Sequence, residues 1–165
     1  GLAAFAIYNL VFWDWIPTVA MHKYYCATEA GFWIFKTPEQ WVRENPGVLE
    51  TLTAFDDGRS LDLGPNRVAY QLNQRISWVH SVTAGFLHVG KFENLIVDEN
   101  NGEILAREVY FRAGRCSGAP RNLVDFKFWT VQCKCTGEPF SEKDGSNFSL
   151  FKNAVRGRSD KGEIK

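Results

Sequence analysis

The chain has 165 residues, of which 45% are hydrophobic and 15% aromatic. This composition indicates one folded domain with its own core, and it excludes a disordered chain, which would have fewer aromatic residues and a larger net charge. The 19 basic and 19 acidic residues balance, so the basic excess typical of nucleic-acid-binding proteins is absent, and we predict no nucleic-acid partner.

The N-terminal segment is strongly apolar. Residues 1–16 contain one charged side chain, Asp14, and the run LAAFAIYNLVFW has one polar residue, Asn9. A transmembrane helix needs about 20 apolar residues. We therefore expect residues 1–16 to form either a buried N-terminal helix or the end of a membrane anchor. In the second case Trp13, Trp15, Tyr24 and Tyr25 would lie at the membrane–water interface, where amphipathic rings are favoured.

Proline and capping residues predict three helices in the first third of the chain. A helix is expected over residues 17–30, because proline suits its first turn and Gly31 its end. The stretch TPEQ at residues 37–40 has the pattern of a capping box and predicts a helix over residues 38–44. In the following stretch NPG, the Asn is suited to cap one or two further turns.

Apolar residues recur at every second position beyond residue 66, which is typical of strands. We predict strands over residues 67–78, 86–97, 104–112 and 123–135, with Asn101-Gly102 in a hairpin connection. The last of these is apolar on both faces and is expected to lie centrally in the sheet. Helices followed by strands indicate an α+β fold, with N-terminal helices packed on an antiparallel β-sheet. We assign residues 17–140 to this single domain and residues 141–165 to a lightly packed, polar, basic tail.

Four cysteines are candidates for disulfides: Cys26, Cys116, Cys133 and Cys135. An even number beside an apolar N-terminus favours an oxidising compartment, although free thiols in a cytosolic protein are the alternative. A bridge between Cys133 and Cys135 would be strained in a strand. We therefore expect each of these two to pair elsewhere, one with Cys26 and the other with Cys116.

Metal and cofactor motifs are weak. His22 and Cys26 are four residues apart on the predicted helix and could bind zinc together with Cys133 and Cys135. The CxC spacing lacks the longer gap of zinc knuckles, so we predict no metal. The chain has no P-loop and no GxGxxG motif, and we predict no cofactor.

Catalytic patterns are also weak, and we predict no catalytic residue. One alternative is a small periplasmic hydrolase that uses His80 or His88 with a carboxylate such as Asp98. The GxSxG motif of a nucleophile elbow is absent. A second alternative is a thiol-redox protein that uses Cys133 and Cys135.

A basic and aromatic stretch supplies the candidate residues for binding a partner: Arg107, Tyr110, Arg112, Arg115 and Arg121. Such residues are enriched at protein interfaces and could bind a phosphate or an acidic protein surface. The plainer interpretation is a solvated sheet face on which these arginines pair with nearby glutamates.

The segments FWDWIPT, HKYYC, EAGFW, TPEQW and ENPG follow one another in Phe12–Leu52. This first third of the chain resembles uncharacterised small bacterial envelope proteins that carry an N-terminal membrane anchor before a periplasmic domain. The resemblance implies a periplasmic location, with a tether to the inner membrane. Together with the weak catalytic patterns, it favours a non-enzymatic domain that binds another protein, either as an immunity or inhibitor protein or as an accessory of envelope assembly.

Overall fold

The computed structural model describes residues 1, 5–6, 8–9, 12–55, 58–114, 131–135 and 147–157. The helices are α1 (Trp15–Thr28), α2 (Pro38–Glu44), α3 (Val48–Thr51) and α4 (Asn147–Val155). The strands are β1 (Gly31–Ile34), β2 (Ser60–Asp62), β3 (Arg67–Gln71), β4 (Ile76–Ala84), β5 (Val89–Asp98), β6 (Glu103–Ala113) and β7 (Gln132–Cys135).

The strands form one antiparallel sheet in the order β1-β6-β5-β4-β3-β2. The short strand β7 pairs with the end of β6, next to the residues that pair with β1. The longest pairings join β4, β5 and β6, so these three strands form the centre of the sheet. The α+β prediction is therefore confirmed, with the strands antiparallel and helices packed on them.

The sheet carries a separate core on each face. On one face, α1 packs Met21 and Tyr25 against Val109 and Phe111 of β6, and the rings of Tyr25 and Phe111 stack at 5.0 Å. On the other face, the remaining three helices pack over the opposite end of the sheet. The buried residues of that second core include Trp41, Leu52, Leu72, Ile76, Ile96, Ala106, Phe148, Phe151 and Val155.

The C-terminal region contradicts the prediction of a lightly packed tail. Helix α4 buries Phe148, Phe151 and Val155 in the second core. These positions are spaced three and four apart, so they share one face of the helix. The amide of Asn73 donates to the carbonyls of Val155 and Arg156 at 3.0 and 2.8 Å, which fixes the end of the helix to the sheet. The rest of residues 141–165 lies outside the described residues.

Several element limits differ from the predictions for local reasons. Helix α1 ends at Thr28, and Gly31 is the first residue of β1 instead of the helix stop. Strand β5 begins at Val89, because residues 86–88 form a short turn in which Leu87 and His88 have positive φ angles. Of the predicted strand over residues 123–135, only residues 131–135 are described, and β7 pairs there with β6.

Large side chains in the N-terminal segment are exposed. Phe5, Tyr8, Trp13 and Ile16 have exposed fractions of 68%, 53%, 62% and 75%. Asp14, in contrast, is 2% exposed. The described residues of this segment are therefore partly exposed and partly buried, and both expectations for residues 1–16 stay predictions. In the described part of the chain, no helix has the length and apolar character needed to cross a membrane.

The capping box at the start of α2 is confirmed. The Gln40 N–H donates to Thr37 Oγ1 at 3.2 Å, and the Thr37 N–H donates to Gln40 Oε1 at 2.9 Å. We expect Thr37→Ala to lower the free energy of unfolding by about 1 kcal/mol in urea titrations, because the first turn loses a partner for its N–H groups. Thr28→Ala, at an exposed position of α1, is the matched control and should change it by less than about 0.5 kcal/mol. Equal losses in the two variants would contradict a capping role.

Candidate functional site

A mixed cluster of polar and aromatic side chains lies on the same face of the sheet as the second core, next to helix α4. Residues paired across antiparallel strands share a face. His80 of β4 pairs with Asn94 of β5, which pairs with Glu108 of β6. We call this surface the cation–aromatic face and define it by Trp78, His80, Phe92, Asn94, Glu108, Tyr110, Arg112, Lys134 and Lys152.

A hydrogen-bonded network runs across the middle of this face. The Asn94 amide nitrogen donates to Glu108 Oε2 at 2.7 Å, and Lys134 Nζ donates to Glu108 Oε1 at 2.7 Å. Glu108 is 3% exposed and Asn94 is 5% exposed. A buried carboxylate is costly unless it is paired and hydrogen-bonded, and here each oxygen has a partner.

The same network determines which ring nitrogen of His80 carries the hydrogen. Asn94 Oδ1 accepts the Trp78 indole N–H at 3.0 Å, and it lies 2.8 Å from His80 Nδ1. Because an amide oxygen can only accept, Nδ1 carries the hydrogen when the ring is neutral. His80 Nε2 is then the acceptor nitrogen, and it is available to a donor group of a ligand.

Three cations on this face each lie over an aromatic ring. The distances to the ring centroids are 4.4 Å for Arg112 over Phe92, 4.2 Å for Lys134 over Tyr110 and 4.5 Å for Lys152 over Trp78. The Phe92 and Tyr110 rings also stack on each other at 5.0 Å. Such contacts hold long side chains in place, so their charges are presented in a defined arrangement.

The charge on the face is positive. Glu108 is the single carboxylate among its members and is already paired with Lys134, whereas Arg112 and Lys152 are not offset within the set. Burial raises the pKa of Tyr110, Arg112 acts in the opposite direction, and the charge of Glu108 adds to the rise. Burial lowers the pKa of Lys152, and the nearby charge of Arg156 lowers it further.

The predicted partner-binding residues do not form one group. Tyr110 and Arg112 lie on the cation–aromatic face, but Arg107 is on the opposite face of β6. There Arg107 pairs with Glu93 and lies over the Trp33 ring. Successive residues of a strand point to opposite faces, so odd and even positions are separated. The sequence alone could therefore have separated Arg107 from Tyr110 and Arg112. Arg115 and Arg121 lie outside the described residues.

Six members of the face lie on other elements and are not among the predicted binding residues: Trp78, His80, Phe92, Asn94, Lys134 and Lys152. For His80 the sequence suggests only a catalytic role. The positions of these six residues depend on strand register and on the packing of α4, which local patterns do not specify.

The groups suggested for a hydrolase are not brought together. Asp98 lies four positions beyond Asn94 on β5, about 13 Å along the strand from the partner of His80. It is fully buried and bound by Arg75 and Trp41. His88 is exposed, in the turn that precedes β5.

One disulfide joins the first and last parts of the domain. Cys26 of α1 is bonded to Cys135 of β7, which is one of the pairings that the sequence left open. Cys133, expected to pair as well, is a free and exposed cysteine. The prediction that Cys133 forms a disulfide is therefore wrong. Cys116, its expected partner, lies outside the described residues. Cys135 is bonded to Cys26 in this structure, and the alternative of a thiol-redox protein stays a prediction.

Comparisons of this chain with protein-family models, with curated proteins and with solved structures found no match. The resemblance of residues 12–52 to bacterial envelope proteins therefore stays a prediction.

Proposed function

We propose that this chain is a non-enzymatic protein-binding domain of the bacterial envelope, and that its cation–aromatic face binds an acidic segment of the partner. The observation that carries the proposal is the placement of three cations over aromatic rings on one face of the sheet. An immunity or inhibitor protein and an accessory of envelope assembly both fit this description.

An acidic protein segment suits this face on chemical grounds. Arg112 and Lys134 are exposed cations, and each is held in position by the ring beneath it. Preorganised cations lose little conformational entropy when they bind a carboxylate, and aromatic and Arg side chains dominate the energetics of protein interfaces. His80 Nε2 adds one acceptor for an N–H or O–H group of the partner.

The disulfide and the exposed N-terminal rings support the proposed location. A crosslink such as Cys26–Cys135 is typical of proteins outside the cytoplasm. Trp13 and Trp15 are exposed by 62% and 42%, and exposed tryptophans are favoured at the membrane–water interface. Both features support the proposal that the domain lies in the periplasm and is tethered to the inner membrane through its N-terminal segment.

The test compares capture of envelope proteins by three immobilised forms of the domain. We expect wild type to enrich a specific protein, and Arg112→Glu/Lys134→Gln to reduce that enrichment at least about tenfold, since each lost charged contact is worth about 1.5–3 kcal/mol. Lys134→Gln keeps a hydrogen-bond donor beside Glu108 but removes the counter-charge of this buried carboxylate. Quantitative mass spectrometry of the captured proteins gives the ratio.

Arg107→Glu is the matched control, because Arg107 lies on the same strand but on the opposite face. It should capture the same protein as wild type. Capture that is unchanged in the double variant, or lost equally in Arg107→Glu, would refute this binding face. Failure of wild type to enrich any specific protein would count against the whole class.

A further inference from the structure

We propose that reduction of the Cys26–Cys135 disulfide converts it, together with His22, into a zinc-binding site. One ligand atom from each of these three residues lies within 4.8 Å of the others. The same two sulfurs would then serve as a crosslink in the oxidised chain and as metal ligands in the reduced chain. This inference is independent of the proposed partner-binding face, so either can fail alone.

The distances fit a zinc coordination sphere. The two ring nitrogens of His22 lie 3.6 and 3.5 Å from Cys26 Sγ. Zn–S bonds of about 2.3 Å and Zn–N bonds of about 2.0 Å in a tetrahedral site place neighbouring ligand atoms roughly 3.5–3.8 Å apart. The His22 and Cys26 ligand atoms thus already have the separation of zinc ligands. Because Sγ is almost equally distant from both ring nitrogens, the His22 ring must turn its Nδ1 lone pair toward the metal, and the two sulfurs must move apart once their bond is broken.

A second observation points to the same use of His22. Its Nε2 lies 3.3 Å from the backbone carbonyl of Phe111, and the residue is 6% exposed. Zinc-bound histidines usually donate their other ring N–H to a carbonyl or carboxylate, which orients the ring. A hydrogen bond from Nε2–H to Phe111 leaves Nδ1 with its lone pair free for the metal.

The site would persist after reduction because other contacts hold α1 on the sheet. Tyr25 stacks on Phe111 at 5.0 Å, and Thr18 Oγ1 donates to the carbonyl of Leu87 at 3.3 Å. Met21 and Ala30 pack on the same core. Cys26 and Cys135 therefore stay close when the covalent bond between them is lost.

The chemistry balances with a phosphine as the reductant. The phosphine gives two electrons to the disulfide and takes the oxygen of one water molecule to become a phosphine oxide, while the two protons of that water convert Cys26 and Cys135 into thiols. Zn²⁺ then displaces the two thiol protons and binds two thiolates and the neutral imidazole of His22. The group found in the described residues holds three ligands, so a water molecule completes the tetrahedron, as in zinc sites with an open position.

The test measures metal binding by the full chain before and after reduction with a water-soluble phosphine, which competes weakly for zinc. After gel filtration, we expect the reduced chain to retain one zinc per molecule and the oxidised chain to retain none. Cobalt added in place of zinc should give the thiolate charge-transfer and tetrahedral d–d absorption bands. Zinc should also raise the thermal unfolding temperature of the reduced chain. We expect this rise even if reduction alone loosens the fold.

His22→Ala and Cys135→Ser should each weaken zinc binding by the reduced chain by at least about tenfold. Cys133→Ser is the matched control, because Cys133 is exposed and is not part of the group; it should bind zinc as wild type does. The proposal is overturned if reduced wild type retains no zinc, if His22→Ala binds as tightly as wild type, or if Cys133→Ser loses the metal.

Discussion

Replacing Asp98 with Asn is expected to lower the free energy of unfolding by about 3–5 kcal/mol. Asp98 is fully buried, and its carboxylate accepts the Trp41 indole N–H at 2.8 Å and two contacts from Arg75 Nε at 2.8 and 2.9 Å. The amide of Asn has the same size, but its NH₂ group cannot accept these hydrogen bonds. The variant therefore leaves a largely buried guanidinium without a counter-charge, and urea unfolding followed by circular dichroism measures the loss.

Glu93→Gln provides the matched control for Asp98→Asn. Glu93 also lies on β5 and also pairs with an arginine, Arg107, but both side chains are partly exposed. Exposed ion pairs contribute at most about 1 kcal/mol, so this variant should unfold close to wild type. Similar losses in the two variants would show that the buried Asp98–Arg75 pair contributes no more to the free energy of unfolding than an exposed ion pair does.

The pH dependence of stability gives a second measurement of the same pair. Burial on its own would raise the pKa of Asp98, but hydrogen bonds from Arg75, Trp41 and the Asn100 N–H outweigh it, and the pKa lies below its ordinary value. A depressed pKa stabilises the fold above the unfolded-state pKa of about 3.9, and this contribution is lost as the pH falls through the folded-state value. Wild type should therefore lose stability below about pH 4 more steeply than Asp98→Asn.

Local patterns were the part of the structure that the sequence could predict. The capping box at Thr37 and Gln40 depends on residues three apart, and it forms as expected. The turn at Asn101-Gly102 likewise connects two paired strands, with Gly102 at a φ of 71°. Both features are determined within one turn of chain, so no knowledge of tertiary packing was needed.

The packing of α4 shows where local reasoning failed. Its apolar positions Phe148, Phe151 and Val155 have helical spacing, but they lie in a polar, glycine-rich region that suggested a loose tail. The helix packs there because the second core offers apolar side chains for it to cover. Phe32 and Trp78 of the sheet contact the Phe148 ring. A short amphipathic helix is stabilised mainly by the surface that it covers, and that surface is not visible in its own sequence.

The candidate site was only partly predictable for a related reason. Alternation alone groups Glu108 with Tyr110 and Arg112 and separates Arg107 from them. The link from Glu108 to Asn94 and on to His80 depends instead on the register of three strands, including the irregularity between Ile96 and Val97. A shift by one residue would place each side chain on the other face, so register must be known before such a network can be identified.

The compartment decides which state the Cys26 and Cys135 sulfurs adopt. In an oxidising compartment they form the crosslink seen in the structure, and zinc has no thiolates to bind. In a reducing compartment the crosslink opens, and the proposed zinc site with His22 would take over its role of holding α1 against β7. The two uses exclude each other in one molecule, so measuring the thiols also tests the proposed periplasmic location.

Removing the disulfide is expected to lower the free energy of unfolding of the oxidised protein by about 3–5 kcal/mol. The bridge joins residues separated by 109 positions, and in the chain-entropy model a loop of about 100 residues corresponds to about 4.7 kcal/mol. The double variant Cys26→Ala/Cys135→Ala avoids leaving one reactive thiol in the core. Urea unfolding without reductant measures the difference from wild type, and wild type treated with reductant and a chelator should unfold as the variant does.

Cys133→Ser separates the effect of this crosslink from a general effect of losing a cysteine. Because Cys133 is free and exposed, its replacement should change the free energy of unfolding by less than about 0.5 kcal/mol. The double variant, in contrast, lets α1 separate from β7 when the chain unfolds, so its unfolded state gains entropy that the wild-type chain lacks. If the double variant and wild type had the same urea midpoint, the crosslink would not be what restrains the unfolded chain, and the case for an oxidising compartment would lose its structural support.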